Sequence, residues 1–325
     1  MEQPRHLALL TSGGDAPGMN AAIRAVVRAA HHYGLTSTGV LDGFDGLVEG
    51  RFRGLGPRDV SNIVQRGGTM LRSARSAAFR TAEGRARAVA NLRGAGIDAV
   101  VVIGGNGSQA GAQALHLESG MPVIGIASTI DNDLAGTDRT IGFDTACNTA
   151  MEAIDRLRDT ASSHERLFFV EVMGRDAGFI ALRTAIAGGA EYAMVPEAHQ
   201  DIDDVVRVLT QGAQGKGSSI VVVAEGDEQG GAFAIAQRVK ERAPQFDIRV
   251  SVLGHLQRGG SPTVADRVLA GRLGVGAVEH LCAGHRHGVL GTVNGKLTLV
   301  PFAEAIAGGK PAETELLRIL PILSV

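Results

Sequence analysis

Short apolar runs alternate along this chain with stretches whose apolar residues recur at helical spacing. Leu7 to Leu10 reads as a strand, followed by a Gly-rich turn and a helix over about residues 20–31. Asp98-Ala-Val-Val-Val-Ile103 is an unbroken β-branched run, which predicts a strand buried on both faces. A second Gly-rich turn follows at 104–107, then a helix over 109–117 and a strand at Val123 to Ile126. Residues 144–160 place Ala150, Ile154 and Leu157 on one helical face. The pattern then restarts with a strand at 167–172, a turn at 173–178 and a helix through 187. Further strands are predicted at 192–195, 219–223 and 247–252, with helices near 201–212 and 231–243. Such alternation specifies βαβ units around parallel sheets. The fold class is therefore α/β: two similar doubly wound, Rossmann-like lobes with mainly parallel sheets. The cleft between two such lobes is the expected place for an active site.

Composition narrows the function. At 325 residues the chain exceeds what one hydrophobic core usually serves. Its apolar share of 44% and charged share of 20% suit a soluble globular protein. A net charge of −2 argues against binding nucleic acid through bulk charge. No apolar run approaches the roughly 20 residues that span a bilayer, so no membrane partner is expected. Cys147 and Cys282 are far apart and form no Cys-x-x-Cys pair. They read as small buried residues in a reducing, cytoplasmic setting.

Candidate chemistry lies in the turns that follow strands. Thr129-Ile-Asp-Asn-Asp133 places Asp131 and Asp133 at the carboxyl end of a strand, where α/β sheets bind ligands. Paired carboxylates there can act as a general base and a metal partner, or simply hydrogen-bond their own backbone in a turn. Thr11-Ser-Gly-Gly-Asp-Ala-Pro-Gly-Met-Asn20 and Gly104-Gly-Asn-Gly-Ser108 are glycine-rich strand-to-helix turns that suit phosphate. Neither matches a P-loop or a dinucleotide fingerprint. The second half supplies Arg166, Arg175, Arg249, His255 and Arg258 in or beside similar loops. Arginine forks match phosphate oxygens, so the division suggests transfer between two phosphorylated ligands.

At this point the residues resemble a known family. Across nearly its whole length the chain resembles bacterial ATP-dependent 6-phosphofructokinase. The resemblance rests on the stretch 10–24, Arg66-Gly-Gly-Thr69, Ser73-Ala-Arg75, Thr129 to Asp133, the stretch 152–160, Glu171-Val-Met-Gly-Arg175, the stretch 185–189 and Leu253 to Pro262. It implies a nucleotide-binding lobe over 1–142 plus 257–308 and a sugar-phosphate lobe over 143–256 plus 309–325. Asp131 matches the base that takes the sugar hydroxyl proton, Asp133 an acidic residue near metal and substrate, and Thr129 a substrate contact. Arg175 matches the arginine that stabilises the transferring phosphoryl group, and Arg75 one that bridges the phosphates. Glu225, His255, Arg166, Arg249 and Arg258 match the sugar-phosphate site, with Met173 and Gly174 as its wall. Gly14, Gly107, Ser108 and Gly111, with Arg75, Arg80 and Arg85, match the nucleotide site. Arg166 and Arg249 come from a neighbouring subunit in the family, which implies a homotetramer. Arg24, Arg28, Arg158, Glu191 and Lys216 match effector positions for ADP or phosphoenolpyruvate.

The departures from the family pattern cluster. Asn106 stands where the family's Gly-Gly-Asp-Gly-Ser has the aspartate that positions the Mg²⁺ of ATP. Asparagine keeps a carbonyl oxygen but loses a charge, so the metal site is weakened and Asp133 contributes indirectly. Arg72 and Ser128 replace glycines, and Leu41 and Ser76 stand where aromatic residues flank adenine in a bacterial relative. Pro57 and Gln214 replace basic effector residues, although Arg58 is adjacent. Small residues at Gly107 and Ser128 leave room for a nucleotide and favour ATP over pyrophosphate as donor. The expected activity is phosphorylation of fructose 6-phosphate to fructose 1,6-bisphosphate, reduced to the extent that Asn106 matters. The alternative is a weak or silent paralogue that binds sugar phosphate or nucleotide and regulates a partner.

Overall fold

The structure, a computed structural model, describes residues 3–163, 166–212 and 219–324. The chain divides into two compact units, Met1–Asp144 with Arg258–Lys310, and Thr145–Gln257 with Pro311–Val325. In the first stretch of chain come β1 (His6–Thr11), α1 (Met19–His32), β2 (Thr36–Val40), α2 (Gly43–Glu49), β3 (Phe52–Leu55) and α3 (Ala82–Gly94). These are followed by β4 (Ala99–Gly104), α4 (Asn106–Ser119), β5 (Val123–Ala127) and α5 (Phe143–Ser162), the last running across the unit boundary. The second unit holds β6 (Leu167–Val172), α6 (Phe179–Ala187), β7 (Tyr192–Met194), α7 (Ile202–Gly212), β8 (Ser219–Ala224), α8 (Ala232–Arg242) and β9 (Ile248–Val252). The chain returns to the first unit for α9 (Val264–Cys282), β10 (His287–Val293), β11 (Lys296–Val300) and α10 (Phe302–Ala307), and ends with α11 (Thr314–Leu323) in the second.

The first unit is a seven-stranded sheet in the order β11-β10-β5-β4-β1-β2-β3. Its five inner strands run parallel, and antiparallel β3 and β11 close the two edges. Every residue of β4 is buried, as its unbroken apolar run predicts. On one face Val100 and Val102 pack with Phe44, Leu47, Leu92, Ala112, Leu115 and Phe302 from α2, α3, α4 and α10. Each such side chain contributes about 1.5–3 kcal/mol by leaving water. Elsewhere α1 and α9 run side by side, so close that a Cβ at Gly274 would lie 2.5 Å from that of Ala25. The chain moves from β1 to β2 in one direction and from β4 to β5 in the other. The switch point is thus between β1 and β4, where α/β sheets open a crevice at their carboxyl ends.

The second unit is smaller, an all-parallel sheet in the order β7-β8-β6-β9. Its core joins Phe169, Val221 and Val223 to Ile202, Val205 and Leu209 of α7 and Ile235 and Val239 of α8. Both units are doubly wound, but among the described residues only the first carries antiparallel edge strands. Cys147 and Cys282 form no disulfide and are half-buried rather than fully buried. Among the described residues no helix is long and apolar enough to cross a membrane.

Candidate active site

In the first unit three loops converge at the carboxyl ends of β1, β4 and β5. The Ser12 N–H donates to Ile103 O at 3.0 Å, and the Ser128 N–H to Gly104 O at 3.1 Å. Gly104 admits no side chain: a Cβ there would lie 2.5 Å from both Ser12 O and Ser108 Oγ. Gly13 also lies close to this side chain, with Ser108 Oγ at 3.1 Å from its Cβ position. The two glycine-rich turns therefore touch, with Ser108 filling the space between them.

The second of these turns is shorter than its sequence suggests. Helix α4 begins at Asn106 rather than Gln109, because Ser108 and Gln109 already donate their N–H groups to Gly105 O. No side chain caps this terminus, and Gly107 is exposed on its first turn. Uncapped N–H groups at a helix start, with the dipole behind them, favour an anion. Gln109 is fully buried and donates to Gly104 O at 2.8 Å and Ile126 O at 3.1 Å. The Gln109 amide oxygen occupies the place a Cβ on Gly125 would need, so residue 125 must be glycine.

Several hydrogen bonds between neutral groups brace the loop after β5. The Asp131 N–H donates to Thr129 Oγ1 at 3.2 Å, and Thr140 Oγ1 donates to Thr129 O at 2.6 Å. Asn132 adopts a left-handed φ of 54° and accepts the Thr140 N–H at 3.0 Å. This arrangement buries Asp131, at 2% exposure, and leaves Asp133 half-buried. Asn106 donates its amide to Asp133 Oδ2 at 2.7 Å.

A segment over 66–76 lies across the first turn. Asn20 accepts the Met70 N–H at 2.7 Å and donates to Arg66 O and Gly67 O. Thr11 Oγ1 meets Thr69 Oγ1 and donates to Arg72 O, each at 2.8 Å, while Ser73 Oγ donates to Gly13 O at 2.6 Å. Arg72 takes a left-handed φ of 61°, and its exposed guanidinium lies 4.0 Å from Asp42. Arg75 and Arg80 are exposed. Arg85 is tied instead to Glu118 at 2.7 Å and to the carbonyls of Phe79 and Arg80. Gly111 faces the Phe44 ring, which stacks on Phe79 at 4.2 Å.

Arg258 belongs to this unit. Its guanidinium covers Gly14 so closely that a Cβ there would overlap Nη1, and Nη1 donates to Asp15 O at 3.4 Å. The residue grouped with the sugar-phosphate set thus reaches the first glycine-rich turn. Arg24 and Arg28 lie on α1, where burial and then the Arg28 charge lower the Arg24 pKa.

In the second unit, Met173 and Gly174 follow β6 and Glu225 follows β8. Glu225 accepts the N–H groups of Arg175 at 2.8 Å and Gly174 at 3.3 Å. Arg175 has a left-handed φ of 55° and Gly174 a φ of 146°, and this bend presents both N–H groups to one carboxylate. Arg175 and His255 are exposed, His255 on the short helical turn Gly254–Arg258. Arg166 and Arg249 sit at the other end of the sheet. They share Asp247, at 3.1 and 2.7 Å, beside the amino ends of β6 and β9. Strands of five and six residues separate that end from Glu225, about 3.3 Å per residue. Arg158 donates to Gly188 O and Gly189 O at 2.6 and 2.8 Å, and buried Glu191 accepts the Ile220 N–H at 2.6 Å. Lys216 lies outside the described residues.

Sequence reading passed over Asn20, Gln109, Thr140 and Asp247. A lone amide in a helix rich in small apolar residues was the available signal for Asn20.

The phosphofructokinase family model matches residues 6–281. ATP-dependent 6-phosphofructokinase 1 of Thermus thermophilus is 55% identical over 99% of this chain and 100% of its own length. ATP-dependent 6-phosphofructokinase 2 of Bacteroides thetaiotaomicron is 52% identical over 98% of each chain. Among solved structures, phosphofructokinase from Pichia pastoris superposes with a TM-score of 0.89 at 34% identity; all of this chain spans 37% of that one. The chain therefore belongs to the phosphofructokinase family.

Proposed function

We propose that this protein is an ATP-dependent 6-phosphofructokinase that phosphorylates fructose 6-phosphate to fructose 1,6-bisphosphate. The observation that carries the reading is the meeting of two glycine-rich turns with the buried Asp131 loop at the β1/β4 switch point, in a chain 55% identical to an ATP-dependent enzyme. Nothing in the structure or the comparisons favours a silent paralogue.

The nucleotide phosphates bind at the open N-terminus of α4, beside Gly14, Gly107 and Ser108, with Gly111, Arg75, Arg80 and Arg85 around the nucleotide. Asp131 removes the proton from the sugar 1-hydroxyl as its oxygen bonds to the γ-phosphorus. The bond from that phosphorus to the β-phosphate oxygen breaks, and ADP leaves. Arg175 offsets the charge on the phosphoryl group in transit, and Thr129 orients the acceptor. Catalysis of this kind rests on placement and charge. Glu225, His255, Met173, Gly174 and Arg258 bind the sugar phosphate. Arg166 and Arg249, at the far end of their own sheet, serve a neighbouring subunit's site, which supports a homotetramer.

The donor set beside α4 is two carboxylates and one amide carbonyl, hard oxygens that suit Mg²⁺ arriving with ATP. Among the described residues no closed cage of His, Cys, Asp or Glu competes for it. The Asn106 carbonyl oxygen would hold the ion together with the phosphates, and Asp133 would act through Asn106. When bound, the ion neutralises phosphate charge. We place the protein in the cytoplasm, with ADP or phosphoenolpyruvate as effector at Arg24, Arg28, Arg158, Glu191 and Lys216.

The test is turnover of fructose 6-phosphate with Mg-ATP and, separately, with pyrophosphate. Formation of fructose 1,6-bisphosphate from ATP alone is expected, and its absence overturns the assignment.

A further inference from the structure

The first turn of α4 carries two amide side chains, and both reach toward β5 and the loop that follows it. Gln109 donates to Gly104 O and Ile126 O from a fully buried position. Asn106, one helical turn earlier, donates to Asp133 Oδ2 at 2.7 Å. A carboxylate only accepts hydrogen bonds, so the end of Asn106 that faces Asp133 is its NH₂, and the carbonyl oxygen points elsewhere. Charge-assisted bonds of this length are the strong ones. Three neutral hydrogen bonds join it within the loop: Asp131 N–H on Thr129, Thr140 N–H on Asn132, and Thr140 Oγ1 on Thr129 O.

We infer that Asn106 is a positioning residue that holds the Asp131–Asp133 loop in its working conformation without a metal ion. Cation binding and loop order are thereby separated in this chain. An aspartate at 106 would set a carboxylate against a carboxylate at hydrogen-bond distance, and with both ionised a cation between them would relieve their repulsion. With asparagine the loop is assembled before Mg²⁺ and nucleotide arrive. Gln109 fixes the helix turn from which Asn106 reaches, so the two amides act as one clamp. The role of the loop rests on the phosphofructokinase reading; its metal-independent order does not.

Native-state hydrogen exchange tests this on the full-length protein, without nucleotide, in EDTA and in millimolar Mg²⁺. The amides of Asp131 and Thr140 report the loop. Wild type is expected to exchange equally in both solutions. Asn106→Ala removes the donor and should speed exchange at both amides by about tenfold, whether or not Mg²⁺ is present. Asn106→Asp should match the alanine variant in EDTA and return to wild-type protection in Mg²⁺. Wild-type protection that depends on Mg²⁺ overturns the inference, as does Asn106→Ala exchanging like wild type. An aspartate variant protected in EDTA overturns it as well. Position 106 is half-exposed, so neither variant disturbs the core, and exchange in β4 provides the folding control. Because no substrate is present, exchange and turnover fail separately: loss of the assigned activity leaves this result standing.

Discussion

The two units present their functional side chains by opposite means. At the carboxyl ends of β1, β4 and β5 the first unit works by subtraction. Glycine at 104 and 14 lets backbone and guanidinium approach where any side chain would block them, and neutral amides set the carboxylate loop. The second unit works through a bent backbone: left-handed Arg175 and its neighbour Gly174 turn two N–H groups onto Glu225. On the proposed reading, the first scheme sets backbone donors, buried Asp131 and half-buried Asp133 toward a nucleotide and an acceptor hydroxyl. The second would bring exposed Arg175 and His255 to an anion. One family of sheet thus yields two kinds of site according to which residues its turns omit or strain.

The largest test of that contrast is Arg175→Ala. If Arg175 stabilises the phosphoryl group in transit, kcat should fall on the order of 10⁴-fold with little change in the KM for ATP. Unchanged kcat would reduce the second unit to a binding role. Asp131→Asn should lower kcat on the order of 10³-fold, because the base is lost while the loop's shape is kept. Steady-state kinetics on both variants separates chemistry from binding in the two units.

Glu225→Ala sharpens the comparison on the second unit's side. It releases two N–H groups at a bend that costs energy to hold, and the KM for sugar phosphate should rise about tenfold. Glu225→Gln keeps an acceptor for both and should recover most of the loss. On the first unit's side, Gly125→Ala forces a methyl onto the Gln109 amide and toward Phe302, and should destabilise by about 1–3 kcal/mol in urea unfolding. Adding Gln109→Ala should relieve part of that cost, a coupling that independent sites would not show.

The smallest effect concerns pH. Burial pushes the Asp227 carboxyl up, opposed by the Gln229 N–H and reinforced by Glu228. A raised carboxyl favours the folded state only while protonated, below about pH 4, and the benefit is lost as pH rises through the folded pKa. Asp227→Asn, which cannot ionise, should therefore raise the melting temperature at pH 7. That gain should shrink toward pH 4, and thermal scans across the range measure it.

The sheet architecture was legible because burial is written locally. The runs at 98–103 and 219–223 have no polar alternation, and both strands are buried at every residue. Strand β2 and the edge strands β3 and β11 mix polar and apolar residues, and their short runs carried no comparable signal. The positions of the glycine-rich turns and of the Asp131 loop were legible too, although their residues alone suited an ordinary turn as well as a site. Their partners were not. Asn106 and Asp133 are 27 positions apart, and Arg258 meets Asp15 across 243.

By itself the sequence determined most of the buried strands and the helices that follow them, where their carboxyl-end loops fall, and the family to which they belong. It did so because the spacing of apolar residues and glycines is a property of neighbouring positions. Only the tertiary structure decided which loops meet, that Arg258 covers Gly14, and that Arg166 and Arg249 share Asp247 at the amino end of their sheet. Those facts follow from strand order, which long-range packing sets and local pattern does not contain.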